Sequence, residues 1–412
     1  MTHEERLARH AALTVRVGAN VQAGQEVYVM SQVEQVELVR AIVEEAYLAG
    51  ASRVVAYYDD RDIRRSAIRH APEEMLGISP EWRLEMARGW HETRPALISL
   101  TSAPEPGFFD GLDTARVARS EATDVRKIYL PLVTDRKLNW TIVGAPTPGW
   151  ATTVFGEPDV ERLWEAVATA MRLDEPDPVE AWREQNAKLQ QRAAALVSHG
   201  FDALRYRGPG TDLTVGLHPA AKWVAATGST ESGIEHLANI PTEEVFTTPD
   251  LHRAEGTVRS TYPLIVPGLG VTVTGLELTL REGKIVETRA DGDGASMIES
   301  QLGLDAQAPY LGELALVTGD SAIKRSGIIF HDTLFDENAS CHIAYGSGLP
   351  FCVEGAEGLA PDELIERGVN ISQVHTDFMI GAPELEVDGL AADGTSTAII
   401  RDERWLLAPA GA

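Results

Sequence analysis

Cysteine is nearly absent from this 412-residue chain, where Cys341 and Cys352 are the only two. That scarcity excludes a disulfide framework and a thiolate metal cage. Positive charge is also short: 36 lysines and arginines face 62 aspartates and glutamates, for a formal net charge of −26. A surface so acidic repels phosphate backbones and anionic bilayers, so neither nucleic acid nor membrane is an expected partner. No run approaches the ~18–20 apolar residues a membrane helix needs. The polar opening from Met1 to His10 lacks the apolar stretch of a secretion signal. Also missing are the Gly-x-Gly-x-x-Gly and Gly-x-x-x-x-Gly-Lys-Ser/Thr phosphate loops and the Gly-x-Ser-x-Gly nucleophile elbow. These absences leave a cytoplasmic protein of a reducing compartment. Its 44% hydrophobic content suffices for a sizeable core.

What is present divides in two. The first part alternates strand and helix: Glu26–Met30 is a short apolar run, Glu34–Gly50 has helical periodicity, and Arg53–Tyr58 is a second buried-type strand. Ala96–Leu100 and Asn139–Val143 follow as further strands, and the order argues for a parallel βαβ sheet. Helical patterns occupy Val160–Leu173 and Val179–Val197. Beyond Gly208-Pro-Gly210 the chain becomes strand-rich, with runs at Leu213–Leu217, Tyr262–Val266, Val271–Thr274, Leu276–Leu280 and Lys284–Glu287, and Arg281-Glu-Gly-Lys284 is a hairpin signal. The expected class is α/β, with an N-terminal α/β domain over 1–200 and a strand-rich α+β domain over 201–412 that carries the chemistry.

Three clusters near the C-terminus supply that chemistry. Glu313 opens a buried-type strand run, Glu337 and His342 lie in Asp-Glu-Asn-Ala-Ser-Cys-His, and His375 and Asp377 lie in Val-His-Thr-Asp-Phe-Met. Oxygen and imidazole donors without thiolates suit Zn²⁺, Co²⁺ or Mn²⁺. A carboxylate set in apolar sequence needs a compensating charge. In a strand, His375 and Asp377 share one face; the plainer alternative is an exposed histidine beside a surface aspartate. Glu337 and His342 are five apart, which is not helical His-Glu-x-x-His spacing, so a loop or helix start must bring them together, with Asp336 or Asn338 capping it. Asp336-Glu337 could equally be no more than a helix cap. Upstream, Glu243 and Glu244 would point to opposite faces of an extended segment, so only one can join; both could also lie in a solvated loop. Cys341 beside His342 reads as an ordinary buried thiol, because sequence neighbours rarely have nucleophile–base geometry.

With these residues in view, the chain resembles the M29 metallopeptidases. The resemblance runs nearly end to end, through Val17-Gly-Ala-Asn20, Ala145-Pro-Thr-Pro-Gly-Trp-Ala151, Asn239-Ile-Pro-Thr-Glu-Glu-Val-Phe-Thr247, Gly312-Glu-Leu-Ala-Leu-Val317, Asp336-Glu-Asn-Ala339 and His375-Thr-Asp-Phe-Met-Ile-Gly381. It implies a homodimeric aminopeptidase that removes the N-terminal residue of peptides with two divalent ions, cobalt, zinc or manganese. Carried over position by position, the ligands it implies are Glu244, Glu313, Glu337, His342, His375 and Asp377. Leu349 stands where the family usually has a tyrosine. If that hydroxyl serves an oxyanion, its loss costs about 2.7–4 kcal/mol, unless Tyr345 is aimed inward to replace it. Two other readings remain: a single-iron, ring-cleaving dioxygenase of similar fold, and a catalytically silent metal-binding relative. Retention of both Glu244 and Glu337 favours two metals.

Overall fold

A computed structural model describes residues 1–120, 122–225, 227–266, 271–356 and 358–409. The chain forms two compact units. One comprises Met1–Arg183 and Thr227–Pro241; the other is built from Glu184–Ala226, Thr242–Pro267 and Val271–Ala412. The change of unit falls inside the long helix Pro178–His199.

The first unit is organised on a five-stranded parallel sheet. Its order is Asn239–Ile240, Trp140–Gly144, Ala96–Thr101, Glu26–Gln32 and Arg53–Asp59. Parallel strands need crossovers, and the first is the helix Val36–Leu48. Its buried residues Leu38, Val39, Ile42 and Ala46 fall on one helical face. The N-terminal helix His3–Leu13 starts in a capping box, in which the Thr2 hydroxyl accepts from the Glu5 amide and the Glu5 carboxylate accepts from the Thr2 amide. A core of Trp90, Leu97, Val125, Leu132 and Leu138 closes one flank, with Tyr28 and Trp90 5.0 Å apart edge to face.

The second unit contains two large antiparallel sheets and a two-stranded one that pairs Leu264–Val266 with Val271–Val273. The larger has eight strands, in the order Lys284–Arg289, Glu277–Arg281, Pro249–Arg259, Thr211–Leu217, Ala203–Gly208, Glu386–Leu390, Ser396–Arg401 and Arg404–Trp405. The hairpin signal at Arg281–Lys284 is met, with Glu282 and Gly283 both at positive φ. The smaller sheet has five strands: His375–Met379, His342–Gly346, Leu311–Leu316, Val245–Thr247 and Val224–Ala225.

Register decides what this smaller sheet can do. Ala344 is paired with Glu313 on one side and Asp377 on the other. Ala315 is paired with His342 and Phe246, and Gly346 is paired with His375. Directly paired residues share a face, so one face carries Glu313, His342, His375 and Asp377, with Ala315, Ala344 and Gly346 as a floor between them and Phe246 and Met379 alongside His342. The alternate residues Leu314, Ile343, Tyr345 and Phe378 point the other way and are almost fully buried. Each of these contributes roughly 1.5–3 kcal/mol of apolar burial, which holds the sheet together beneath a polar face.

Candidate metal centre

Glu313 reaches its place through a bulge. Leu311 pairs with Tyr345 and Glu313 with Ala344, so Gly312 is the extra residue. An added Cβ at Gly312 would lie 2.1 Å from the Ser347 carbonyl oxygen, so no larger residue fits. The bulge re-aims Glu313 toward His375, whose Nε2 is 3.3 Å from Glu313 Oε2 and 3.5 Å from Asp377 Oδ2. Gly346 meets a similar limit at φ 97°, where a Cβ would sit 2.2 Å from the Val374 carbonyl oxygen.

His342 begins its strand and points Nε2 at Glu244 Oε2, 3.0 Å away. Glu337 lies in the single 3₁₀ turn Glu337–Ala339, which follows the short helix Thr333–Asp336. That turn closes the five-residue gap to His342. Neither proposed cap forms at a helix start: Asp336 Oδ1 accepts from the Phe330 amide, and Asn338 Nδ2 donates back to the Leu334 carbonyl. Both imidazoles are fixed from behind. The Nδ1 of His375 donates to the Ser347 carbonyl at 2.7 Å, and the Nδ1 of His342 faces the Ser340 carbonyl at 3.2 Å. A carbonyl can only accept, so the proton sits on Nδ1 and Nε2 is turned to the cluster.

Of the two neighbouring glutamates, Glu244 faces the cluster and Glu243 faces away. Glu243 accepts from Gln185 Nε2 and from the Ala322 amide. Nothing local foretells Gln185, which lies 58 residues earlier on the long helix. Tyr345 points to the opposite face from His342, with its hydroxyl on Gln301 Oε1, so it does not supply the hydroxyl missing at Leu349. The Leu349 amide instead donates to Thr248 Oγ1 at 2.7 Å. Cys341 is a buried thiol held on the Val317 carbonyl, and burial pushes its pKa up to about 11.

Three groups of donors each converge within 4.8 Å: Glu244, Glu313 and His342; Glu313, His375 and Asp377; and Glu337, His342 and Asp377. Glu313, His342 and Asp377 each belong to two of these groups. The six positions singled out in the sequence are therefore one continuous cluster.

The electrostatics of the cluster call for positive charge. Burial raises the pKa of Glu313 and lifts that of Glu337 well above the usual range, and repulsion from neighbouring carboxylates adds to both. Burial alone would lower both histidines, yet Glu244 carries His342 up to about 10 and Asp377 carries His375 well above its usual value. Asp377 resists burial and is lowered, chiefly by the charge of His375. Two buried oxygens, Glu244 Oε2 and Asp377 Oδ1, make no hydrogen bond; the first is near His342 but poorly aligned. An orphaned buried carboxylate oxygen is costly. Divalent cations would satisfy both oxygens and offset the crowded charge, so the donor set fits hard or borderline metal ions.

The profile of the family described as thermophilic metalloprotease (M29) matches residues 3–405. Aminopeptidase T of Thermus thermophilus is 41% identical over 409 residues, covering 97% of this chain and 98% of that protein. Aminopeptidase 2 of Geobacillus stearothermophilus is 37% identical over 408 residues, covering 98% of each. The solved structure of wild-type AmpT from Thermus thermophilus superposes with a TM-score of 0.91 at 38% identity, covering 98% of this chain and all of that one. A 2,5-dihydroxypyridine dioxygenase from Pseudomonas putida superposes with a TM-score of 0.51 at 14% identity, covering 98% of this chain and 96% of that one, a likeness of fold alone.

Proposed function

We propose that this chain, which belongs to the thermophilic metalloprotease (M29) family and is a metal-dependent aminopeptidase, removes N-terminal residues from peptides with two divalent ions held by Glu244, Glu313, Glu337, His342, His375 and Asp377. The observation that carries the two-ion reading is the sharing of donors. Three overlapping groups built from six residues offer more than one ion position. Charge supports the same count: four carboxylates, two buried and two half-buried, with neutral imidazoles would be balanced by two divalent cations and left in excess by one. Glu313 and Asp377 each belong to two groups, so these two carboxylates would serve both ion positions. Bound there, such ions supply Lewis acidity at the scissile carbonyl and acidify a water molecule.

The chain's own residues set the stage for that chemistry. The alanine and glycine floor keeps the centre of the face clear, and the carbonyls of Ser340 and Ser347 lock both rings. His375 is the exposed end of the cluster, its side chain 33% accessible against 1% for His342. Substrate therefore approaches from the His375 side. The same reading makes the protein a cytoplasmic homodimer, with cobalt, zinc or manganese as its metal. Among the described residues no helix is long and apolar enough to cross a membrane.

The test combines metal content per chain with cleavage of aminoacyl-p-nitroanilides and their N-acetylated counterparts after Co²⁺, Zn²⁺ or Mn²⁺ loading. Two ions with cleavage that requires the free amine are expected. One ion per chain, or equal cleavage of blocked substrates, would overturn the proposal.

A further inference from the structure

Asn338 is fully buried and lies between two ligand-bearing segments. Its Oδ1 accepts from the backbone amide of Glu243 at 2.7 Å, the residue just before Glu244. Its Nδ2 donates to the Leu334 carbonyl at 3.0 Å and approaches Glu337 Oε1 at 3.4 Å. The partners fix the amide's orientation, since an N–H can only donate and a carbonyl only accept. Its own carbonyl accepts from Ser321 Oγ at 2.7 Å, which pins the turn from a third side. One side chain thus ties the segment of Glu244 to the turn of Glu337, 95 positions from Glu243 in sequence.

The two ligands it ties belong to the same half of the cluster. Glu244 and Glu337 each group with His342, whereas the group of Glu313, His375 and Asp377 contains neither. We infer that Asn338 is a positioning residue that selectively sets occupancy of the ion position on the His342 side, leaving the His375 side largely independent of it. The inference rests on the two-ion reading and divides its two positions into one clamped by an outer amide and one that is not. Outer partners that orient metal ligands are commonly worth 10–100-fold in metal affinity.

Chelator-stripped wild-type and Asn338→Ala proteins would be titrated with Co²⁺, followed by calorimetry and by the visible absorption of the bound ion. The wild type should show two binding events. In Asn338→Ala one event should weaken by about 10–100-fold, with a change in the Co²⁺ spectrum, while the other stays within about threefold. Asn338→Asp keeps an acceptor for the Glu243 amide and removes the donor to Glu337; it carries the same comparison should the alanine variant not fold. Equal weakening of both events, or a lower melting temperature of the metal-free protein with unchanged Co²⁺ binding, would overturn the inference. A wild type that takes a single ion would overturn the two-ion reading itself, and the inference with it.

Discussion

His10 and His342 are the same side chain, both withdrawn from water, and they are driven in opposite directions. In the first unit, His10 lies between the Gly144 carbonyl, 2.9 Å from Nε2, and the Thr14 hydroxyl, 3.1 Å from Nδ1, and burial takes its pKa down to about 4. In the second, Glu244 overrides the same burial and takes His342 up to about 10. Burial sets a common penalty on the charged ring, and the partner decides whether that penalty stands. The first unit therefore meets its buried histidine with neutral partners alone, a hydroxyl and a carbonyl. The five-stranded sheet of the second concentrates charge that its own side chains leave incompletely answered, and that difference separates a scaffold from a site.

Removing the carboxylate that distinguishes His342 should have the largest effect. Glu244→Gln is expected to lower kcat/KM by more than the 10–100-fold typical of residues that merely orient ligands, with a matching loss of metal. NMR of its metal-free form should show His342 titrating below the wild-type value. Activity and metal content near wild type would show that Glu244 is not a ligand.

The converse experiment concerns His10. Its folded pKa lies below the ~6.5 of an unfolded histidine, so the unfolded state takes up the proton first. The stability it contributes is present above pH ~6.5 and is lost as pH falls toward 4, amounting to about 3 kcal/mol. Urea unfolding across that window should show the loss in the wild type and lack it in His10→Gln. Thr14→Asp, which places a carboxylate near Nδ1, should flatten the slope by making His10 resemble His342. A wild-type slope identical to that of His10→Gln would break the comparison.

Metal should act on the charged region. Cation at 100 times its Kd should add about 2.7 kcal/mol for each independent site, read as a rise in melting temperature that Glu244→Gln blunts and His10→Gln does not. The smallest effect is expected on the back face of the sheet. Tyr345→Phe removes the bond to Gln301, should cost about 1 kcal/mol, and should leave kcat/KM within about threefold. A much larger loss of activity would give Tyr345 a role in the site that its orientation denies.

Much of this was legible in the sequence because it is local. The strands at Glu26, Arg53, Ala96 and Trp140 announced themselves by short apolar runs, and two-residue spacing placed His375 and Asp377 on one face. Extended geometry also required Glu243 and Glu244 to diverge, as they do. What stayed hidden depends on partners distant in the chain. The strand Pro249–Arg259 opens with proline and carries two arginines and a histidine, so periodicity passes over it, yet it pairs on both edges in the larger sheet. The helices Arg61–His70 and Glu81–Thr93 are largely polar and bury few residues, which leaves little apolar pattern to read. Gly312 looks like any glycine until the Ser347 carbonyl is seen where its Cβ would be. Asn338 was visible only as a cap, because its bond to Glu243 spans 95 positions.

The donors on the small sheet come from Glu244, Glu313, His342 and Asp377, on or beside four separate strands spread across more than a hundred positions. Only a fragment that runs from Glu244 to Asp377 holds all of them, and pairing strands so distant in sequence is slow because loop closure must come before any contact rewards it. Filling both ion positions is therefore a late event in the life of the chain, complete only once Asp377 has left the ribosome and its strand has joined the sheet. Maturation of such a protein follows the order of synthesis, with its scaffold available early and its chemistry arriving last.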